Sequence, residues 1–191
     1  DAFNALVDLY QRQVYSLCLR ILGTREVAED ATQEAFLSAF RRLGDFRGGK
    51  FRAWLLRIAT NVSIDELRRL KRQAATPLER DIEGETATVE APDPKTGPEE
   101  AALRAELRAS LERALATLAP EQRAAVVLAD VHGLTYEEVA DVLRCSLGTV
   151  KSRIFRARER LRAYLQALPE PPAPAVRPTG ERSNVTGGKG P

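Results

Sequence analysis

Residues 135–165 read TYEEVADVLRCSLGTVKSRIFRARERLRAYL, and their pattern decides the fold. Thr135 followed by Glu138 has the form of a capping box, in which hydroxyl and carboxylate each satisfy an exposed backbone amide at a helix start. The short helix that follows carries Val139, Ala140 and Leu143 on its inner face. The small Ala140 lets another helix cross closely, Arg144-Cys145-Ser146 has the length of a tight turn, and Val150 and Ile154 anchor the next helix from inside. This spacing predicts a helix-turn-helix. Arg144 is its one misfit, because the turn favours glycine and a left-handed arginine costs about 1 kcal/mol.

The outer side of the second helix carries Lys151, Ser152, Arg153, Phe155, Arg156, Arg158, Arg160 and Arg162, opposed only by Glu159. Such a row suits phosphate oxygens along a DNA groove. Lys151, Ser152 and Arg156, with Phe155 as an apolar contact, have the chemistry to touch base edges, while the later arginines lie toward the backbone. A charge run alone is ordinarily a solvated helix face. Here capping box, short first helix, tight turn and basic second helix coincide, each expected of the motif.

The rest of the chain repeats its apolar residues at three and four, the helical period, so the expected fold class is all-α. Phe3, Leu6, Val7, Tyr10, Val14, Leu17, Cys18, Ile21 and Leu22 form one stripe, ended by Gly23. Thr24 is placed to cap a second helix, with Glu26 in its first turn and Val27, Ala31, Ala35, Phe36, Phe40 and Leu43 as its apolar side. After the loop 45–50, a third pattern runs from Phe51 through Trp54, Leu55, Ile58, Val62 and Leu67 to about Arg72. Residues 1–72 thus predict one helical domain.

From 73 to 98 the periodicity vanishes, prolines recur, and Glu79, Asp81, Glu83, Glu85, Glu90 and Asp93 turn the charge acidic, as in a flexible linker. Residues 99–168 resume with Leu103, Leu107, Leu111, Leu115 and Leu118, then a helix opened by Pro120 and ended near Gly133, then the helix-turn-helix. The Pro- and Gly-rich stretch 169–191 has too little apolar surface to offset its ordering entropy and reads as a disordered tail. The expectation is two small helical domains joined by a flexible acidic linker.

Composition agrees with a folded protein: 43% of the 191 residues are apolar and 29% charged. The net charge of +2 implies nothing about nucleic acid, which makes clustering on one helix the informative feature. No apolar run approaches the roughly 20 residues of a membrane span, and no signal-peptide pattern opens the chain, so a cytoplasmic location is expected. Cys18 and Cys145 read as structural thiols. The start at Asp1, already in helical pattern, suggests native residues upstream. His132 has no partner set for catalysis or metal binding, and no phosphate-binding glycine loop occurs, so neither an enzyme nor a cofactor is expected.

Residues 148–158, GTVKSRIFRAR, resemble the recognition helix of extracytoplasmic-function sigma factors of the sigma-70 family. In the first domain, DATQEAF at 30–36 resembles their core-polymerase-binding motif, and FRAWLLRIATN at 51–61 their promoter-melting segment. The resemblance implies a sigma-2 domain, a linker and a sigma-4 domain. It implies docking on the clamp helices of RNA polymerase's largest subunit through Asp30, Gln33, Glu34 and Phe36, although a phenylalanine on such a helix is equally a core residue. Trp54 and Asn61 match the positions that hold a base outside the duplex, with plain core as the alternative for Trp54. The loop 45–50 corresponds to the pocket for the flipped −10 base.

Arg68 and Arg69, with Lys71 and Arg72, make a basic helix end suited to the backbone just upstream. In relatives the linker threads toward the polymerase cleft; a passive spacer fits its composition equally. Implied partners are core RNA polymerase, promoter DNA and an anti-sigma factor. One rival reading shares the helix-turn-helix, a repressor or activator that binds operators alone, but it does not explain the motifs at 30–36 and 54–61 occurring together. A second is a helical adaptor whose basic helix meets a protein or membrane, distinguished by DNA binding that does not depend on sequence.

Overall fold

The computed structural model describes residues 2–74 and 98–167, so the acidic stretch 73–98 lies, but for its edges, outside the described residues, and the expected tail 169–191 lies wholly outside them. These are helical, with no strand among the described residues. Helices α1 (Ala2–Leu22), α2 (Arg25–Arg41) and α3 (Phe51–Ala74) pack against one another, and a 3-10 turn, Leu43–Asp45, follows α2. Helices α4 (Pro98–Ala116), α5 (Pro120–Val126), α6 (Tyr136–Leu143) and α7 (Leu147–Gln166) form the second half. A π-helical turn, Val127–Val131, extends α5.

The stripe on α1 buries Val14, Leu17, Cys18, Ile21 and Leu22. On α2 the buried face is a seam of small residues, Ala28, Ala31, Ala35 and Ala39, which lets α1 and α3 approach closely. That seam corrects the expected apolar side: Phe40 is 60% exposed, its ring lying edge-on to Phe3 at 5.1 Å, and Leu43 is exposed too. Thr24 occupies the N-cap of α2, but its hydroxyl makes no cap bond and is buried without a partner. The turn before α2 is instead made by Gly23, whose φ of +89° is strained for any side chain.

In the second half, Leu115 and Leu118 of the leucine row are buried, whereas Leu103 and Leu107 on α4 are exposed. Gly133, at φ +65°, ends the π-helical turn and lets the Leu134 amide donate back to the Leu128 carbonyl at 3.1 Å. The halves meet along α3, which packs on α5 and α6, and along α1, which touches α4, α5 and the π-helical turn. Their buried apolar residues form one continuous cluster from Val14 to Ala157. Both cysteines are free thiols, Cys18 buried and Cys145 half-buried.

Candidate nucleic-acid interface

The helix-turn-helix is assembled by its own backbone chemistry. The Glu138 amide donates to Thr135 Oγ1 at 3.2 Å and the Thr135 amide to Glu138 Oε2 at 2.9 Å, which completes the capping box. Arg144 ends α6 in the left-handed region, φ 49° and ψ 51°, and the Cys145 amide donates to the Ala140 carbonyl at 3.1 Å. Ser146 then caps α7, its Oγ accepting from the Thr149 amide at 3.1 Å. Val139, Val142, Val150, Ile154 and Ala157 are buried between the helices. Val142, three positions from Val139 and in step with the helical period, is the inner residue that the sequence pattern alone did not single out.

Lys151, Ser152, Phe155 and Arg156 all stand on the exposed side of α7. Phe155 is 66% exposed, a large apolar side chain in water among cations. The Ser152 hydroxyl donates to the Thr149 carbonyl at 2.9 Å, leaving its oxygen as an outward acceptor. The remaining cations divide. Arg153 turns inward to Cys145 Sγ at 3.5 Å, Arg158 forks onto Asp130 at 2.6 and 3.0 Å, and Arg162 bonds Glu159. Lys151 and Arg156 thus keep their charge for a ligand, while Arg158 helps hold α7 to the π-helical turn.

In the first half, Trp54 is half-buried in an aromatic cluster with Phe46 and Phe51, each ring 5.4 Å away. Asn61, two turns further along α3, is exposed. The loop before α3 bends through Gly48 and Gly49, at φ +91° and +92°, a conformation that side chains resist. Arg69 forks onto Glu66, and Arg68 donates to Glu121 of α5 at 2.7 Å. The Arg69 fork holds the Glu66 carboxyl below its usual range. On α2, Asp30, Gln33 and Glu34 are exposed together, Glu34 accepting from Ser38 at 3.0 Å. Phe36, three positions from Gln33, is half-buried against the core.

Four polar contacts between the halves were not visible as sequence motifs. Lys50 Nζ pairs with Glu138 Oε1 at 2.6 Å, and Arg52 Nη2 donates to the His132 carbonyl at 2.6 Å. Arg68 meets Glu121 as above. Arg123, only 4% exposed, donates from Nη1 to the Ile21 carbonyl at 2.6 Å. Ile21 sits in the last turn of α1, whose carbonyls lack helical partners and carry the negative end of the dipole. Burial pulls Arg123 down to about 10 and His132 down to about 4, the latter helped by Arg52 and Arg20. His132 is therefore neutral at neutral pH. No cluster of metal-ligating residues occurs among the described residues, and no described helix is long and apolar enough to cross a membrane.

Comparison with known proteins covers both halves. The family "Sigma-70 region 2" matches residues 6–73 and "Sigma-70, region 4" matches residues 108–161. The ECF RNA polymerase sigma factor SigE of Mycolicibacterium smegmatis is 43% identical over 86% of the chain, which spans 62% of that protein's length. The RNA polymerase sigma-H factor of Pseudomonas aeruginosa is 39% identical, over 87% of this chain and 88% of its own. SigW of Bacillus subtilis is 37% identical, over 88% and 91%. Among solved structures, CnrH in complex with the cytosolic domain of CnrY superposes with a TM-score of 0.62 at 29% identity, over 87% of this chain and 88% of that one. RpoE of Bartonella quintana in complex with the anti-sigma factor NepR shares the fold, with a TM-score of 0.68 at 24% identity over 87% and 98%. The two matched regions stand in the same order as the two helical halves, and the chain belongs to the extracytoplasmic-function RNA polymerase sigma factors.

Proposed function

We propose that this chain binds core RNA polymerase in the cytoplasm and directs it to promoters of a stress- or signal-responsive gene set, reading the −35 element with region 4 and opening the −10 element with region 2. The observation that carries this is the outer face of α7, where exposed Phe155 stands between Lys151 and Arg156 on a helix whose start is capped by Ser146. A solvated helix gains nothing from a phenylalanine there, whereas a major groove offers it the thymine methyl groups and offers the cations guanine acceptors. Ser152 adds a hydroxyl to the same face.

Region 2 supplies the melting chemistry in this reading. Trp54, held in the aromatic cluster, replaces stacking lost by a base swung out of the duplex, and Asn61 reads the displaced strand from the same helix. Arg68 and Arg69 neutralise phosphates just upstream once released from their carboxylates. Asp30, Gln33 and Glu34 dock on the clamp helices of the largest polymerase subunit, with Phe36 supporting that surface from its half-buried position. An anti-sigma protein is the regulator in this reading; RpoE of Bartonella quintana, which shares the fold, was solved with the anti-sigma factor NepR.

Run-off transcription with core polymerase on a pool of genomic promoter fragments tests the proposal. Initiation that depends on this chain is expected. No initiation on any fragment, with tight binding of specific duplexes by the chain alone, would establish a repressor instead.

A further inference from the structure

We infer that Arg158 is a positioning residue for promoter reading: its fork onto Asp130 fixes the tilt at which α7 presents Lys151, Ser152, Phe155 and Arg156 to the −35 bases. This rests on the promoter-reading role proposed above. Helical spacing alone would put Arg158 on the DNA. It stands seven residues after Lys151, within about 20° of it around the axis and about 10 Å further along, in the row of cations that suits phosphate oxygens. The structure turns it to a protein partner instead. Nη2 donates to Asp130 Oδ1 at 2.6 Å and Nε to Oδ2 at 3.0 Å, the parallel two-bond geometry of a guanidinium on a carboxylate.

The fork stands where α7 has little other hold. Val150, Ile154 and Ala157 are the buried residues of the helix, and beyond Ala157 only Leu161 and Tyr164 are even half-buried. At the other end, the Ser146 cap and the Cys145 amide on the Ala140 carbonyl fix where the helix starts. Lys151 to Arg156 thus lie between two fixed points. The apolar contacts along that span resist separation but hold direction weakly, because burial is non-directional, whereas a two-bond fork admits one orientation.

Asp130 is itself held from behind. It belongs to the π-helical turn Val127–Val131, a rare geometry that concentrates at functional positions. Val127 and Leu128 are buried, and the turn is closed by the His132 amide on the Val127 carbonyl and the Leu134 amide on the Leu128 carbonyl, each at 3.1 Å. Hydrogen bonding to Asp130 first, and the Tyr136 side chain after it, favour the charged Arg158 guanidinium. Tyr136 is the first residue of α6, so one side chain ties the DNA-facing helix both to the π-helical turn and to the first helix of its own motif.

Base readout is the function sensitive to this tie. A tilt of about 10° about the Ser146 end moves Arg156, about 15 Å along α7, by ~2.6 Å, well beyond the roughly 0.5 Å range of a good hydrogen bond. Phosphate contacts act through charge on long side chains and tolerate such a shift. Loss of the fork therefore lowers discrimination between bases and spares binding to the backbone.

Polymerase holoenzyme assembled with the full chain tests this on a promoter recovered from the run-off pool and on its single-base −35 variants, over a range of sodium chloride concentrations. Side chains of Arg158 and Asp130 are 49% and 37% exposed, so neither replacement empties the core. Arg158→Gln and Asp130→Asn should each lower the affinity ratio between the promoter and its variants about 10-fold. The double substitution should lower it no further, since the two side chains act as one unit. In Arg158→Gln the slope of log affinity against log salt should stay that of the parent, because no phosphate contact is lost. A side chain that only stabilises the fold would lower the melting temperature and leave the ratio alone.

An unchanged ratio in either single variant overturns the inference. So does uniform weakening in Arg158→Gln with a salt slope smaller by about 1, accompanied by tighter binding of every sequence in Asp130→Asn; Arg158 would then be a phosphate contact that Asp130 restrains. A parent chain that initiates on no fragment overturns the promoter reading, and this inference with it, so the parent's own result tells the two failures apart.

Discussion

The guanidinium of Arg52 joins three elements: Nη2 donates to the His132 carbonyl at 2.6 Å while Nε donates to Gln13 Oε1 at 2.8 Å. A π-helical turn leaves carbonyls at its end without helical partners, and the planar fork of an arginine can serve one of them while holding a second acceptor. Arg52 lies in the first turn of α3, the helix that also carries Trp54 and Asn61, so the start of that helix is positioned by a backbone atom of the other half.

Lysine at that position offers a point charge without the fork. Arg52→Lys should keep only one of the two hydrogen bonds and lower stability by about 1 kcal/mol in urea denaturation, with faster hydrogen exchange where α3 meets α6. Equal stability in parent and variant would mean that the pair forms without contributing.

On α7 the four exposed side chains should matter for DNA and hardly at all for folding. Lys151→Ala or Arg156→Ala should weaken −35 selectivity by about 1 to 3 kcal/mol for each base no longer read, and Phe155→Ala should relax preference at a thymine. Melting temperatures should stay within about 1 °C of the parent, given side chains this exposed. Titrating the polymerase complex against promoter variants separates base readout from phosphate binding, because removing a phosphate partner weakens every sequence equally.

The fold was legible because its signals are local. Thr135 and Glu138, Ala140, and the Val150–Ile154 pair are all fixed by separations of a few residues, and the structure places each as the spacing predicts. The left-handed Arg144 was legible for the same reason. Orientation was harder. Phe40 and Ala39 are neighbours, and only the packing of three helices decides that the alanine seam faces inward and the phenylalanine outward. The contacts between the halves were not legible at all, because residues 53 to 102 positions apart, such as Arg68 with Glu121 and Arg123 with Ile21, leave no periodic trace in one sequence.

Acid should loosen the junction before it unfolds the helices. His132 is buried beside Arg20 of α1 and Arg52 of α3, which with burial hold it at about 4, well below the ordinary imidazole value near 6.5. The folded state thus binds fewer protons than the unfolded one, so stability is complete above about pH 6.5 and falls as pH drops toward 4. The loss amounts to about 3 kcal/mol. Glu138, held low by Lys50 and its Thr135 cap bond, adds its own loss only at more acid pH. Melting temperature against pH should decline across that window, and His132→Gln should flatten the decline. An equal slope in the variant would assign it to the carboxylates.

The two ends of α6 make opposite demands, and substitution should separate them. Thr135→Ala removes the hydroxyl that receives the Glu138 amide and should cost about 1 kcal/mol. Arg144→Gly relieves a left-handed residue that carries a Cβ and should stabilise by about 0.5 to 1 kcal/mol, the gain limited by glycine's entropy in the unfolded chain. The turn fixes the angle at which α7 leaves, through the Cys145 amide on the Ala140 carbonyl and the Ser146 cap. Glycine adopts the same backbone without strain, so Arg144→Gly should raise the melting temperature and leave −35 selectivity unchanged. Selectivity that falls while stability rises would place the Arg144 side chain on the DNA.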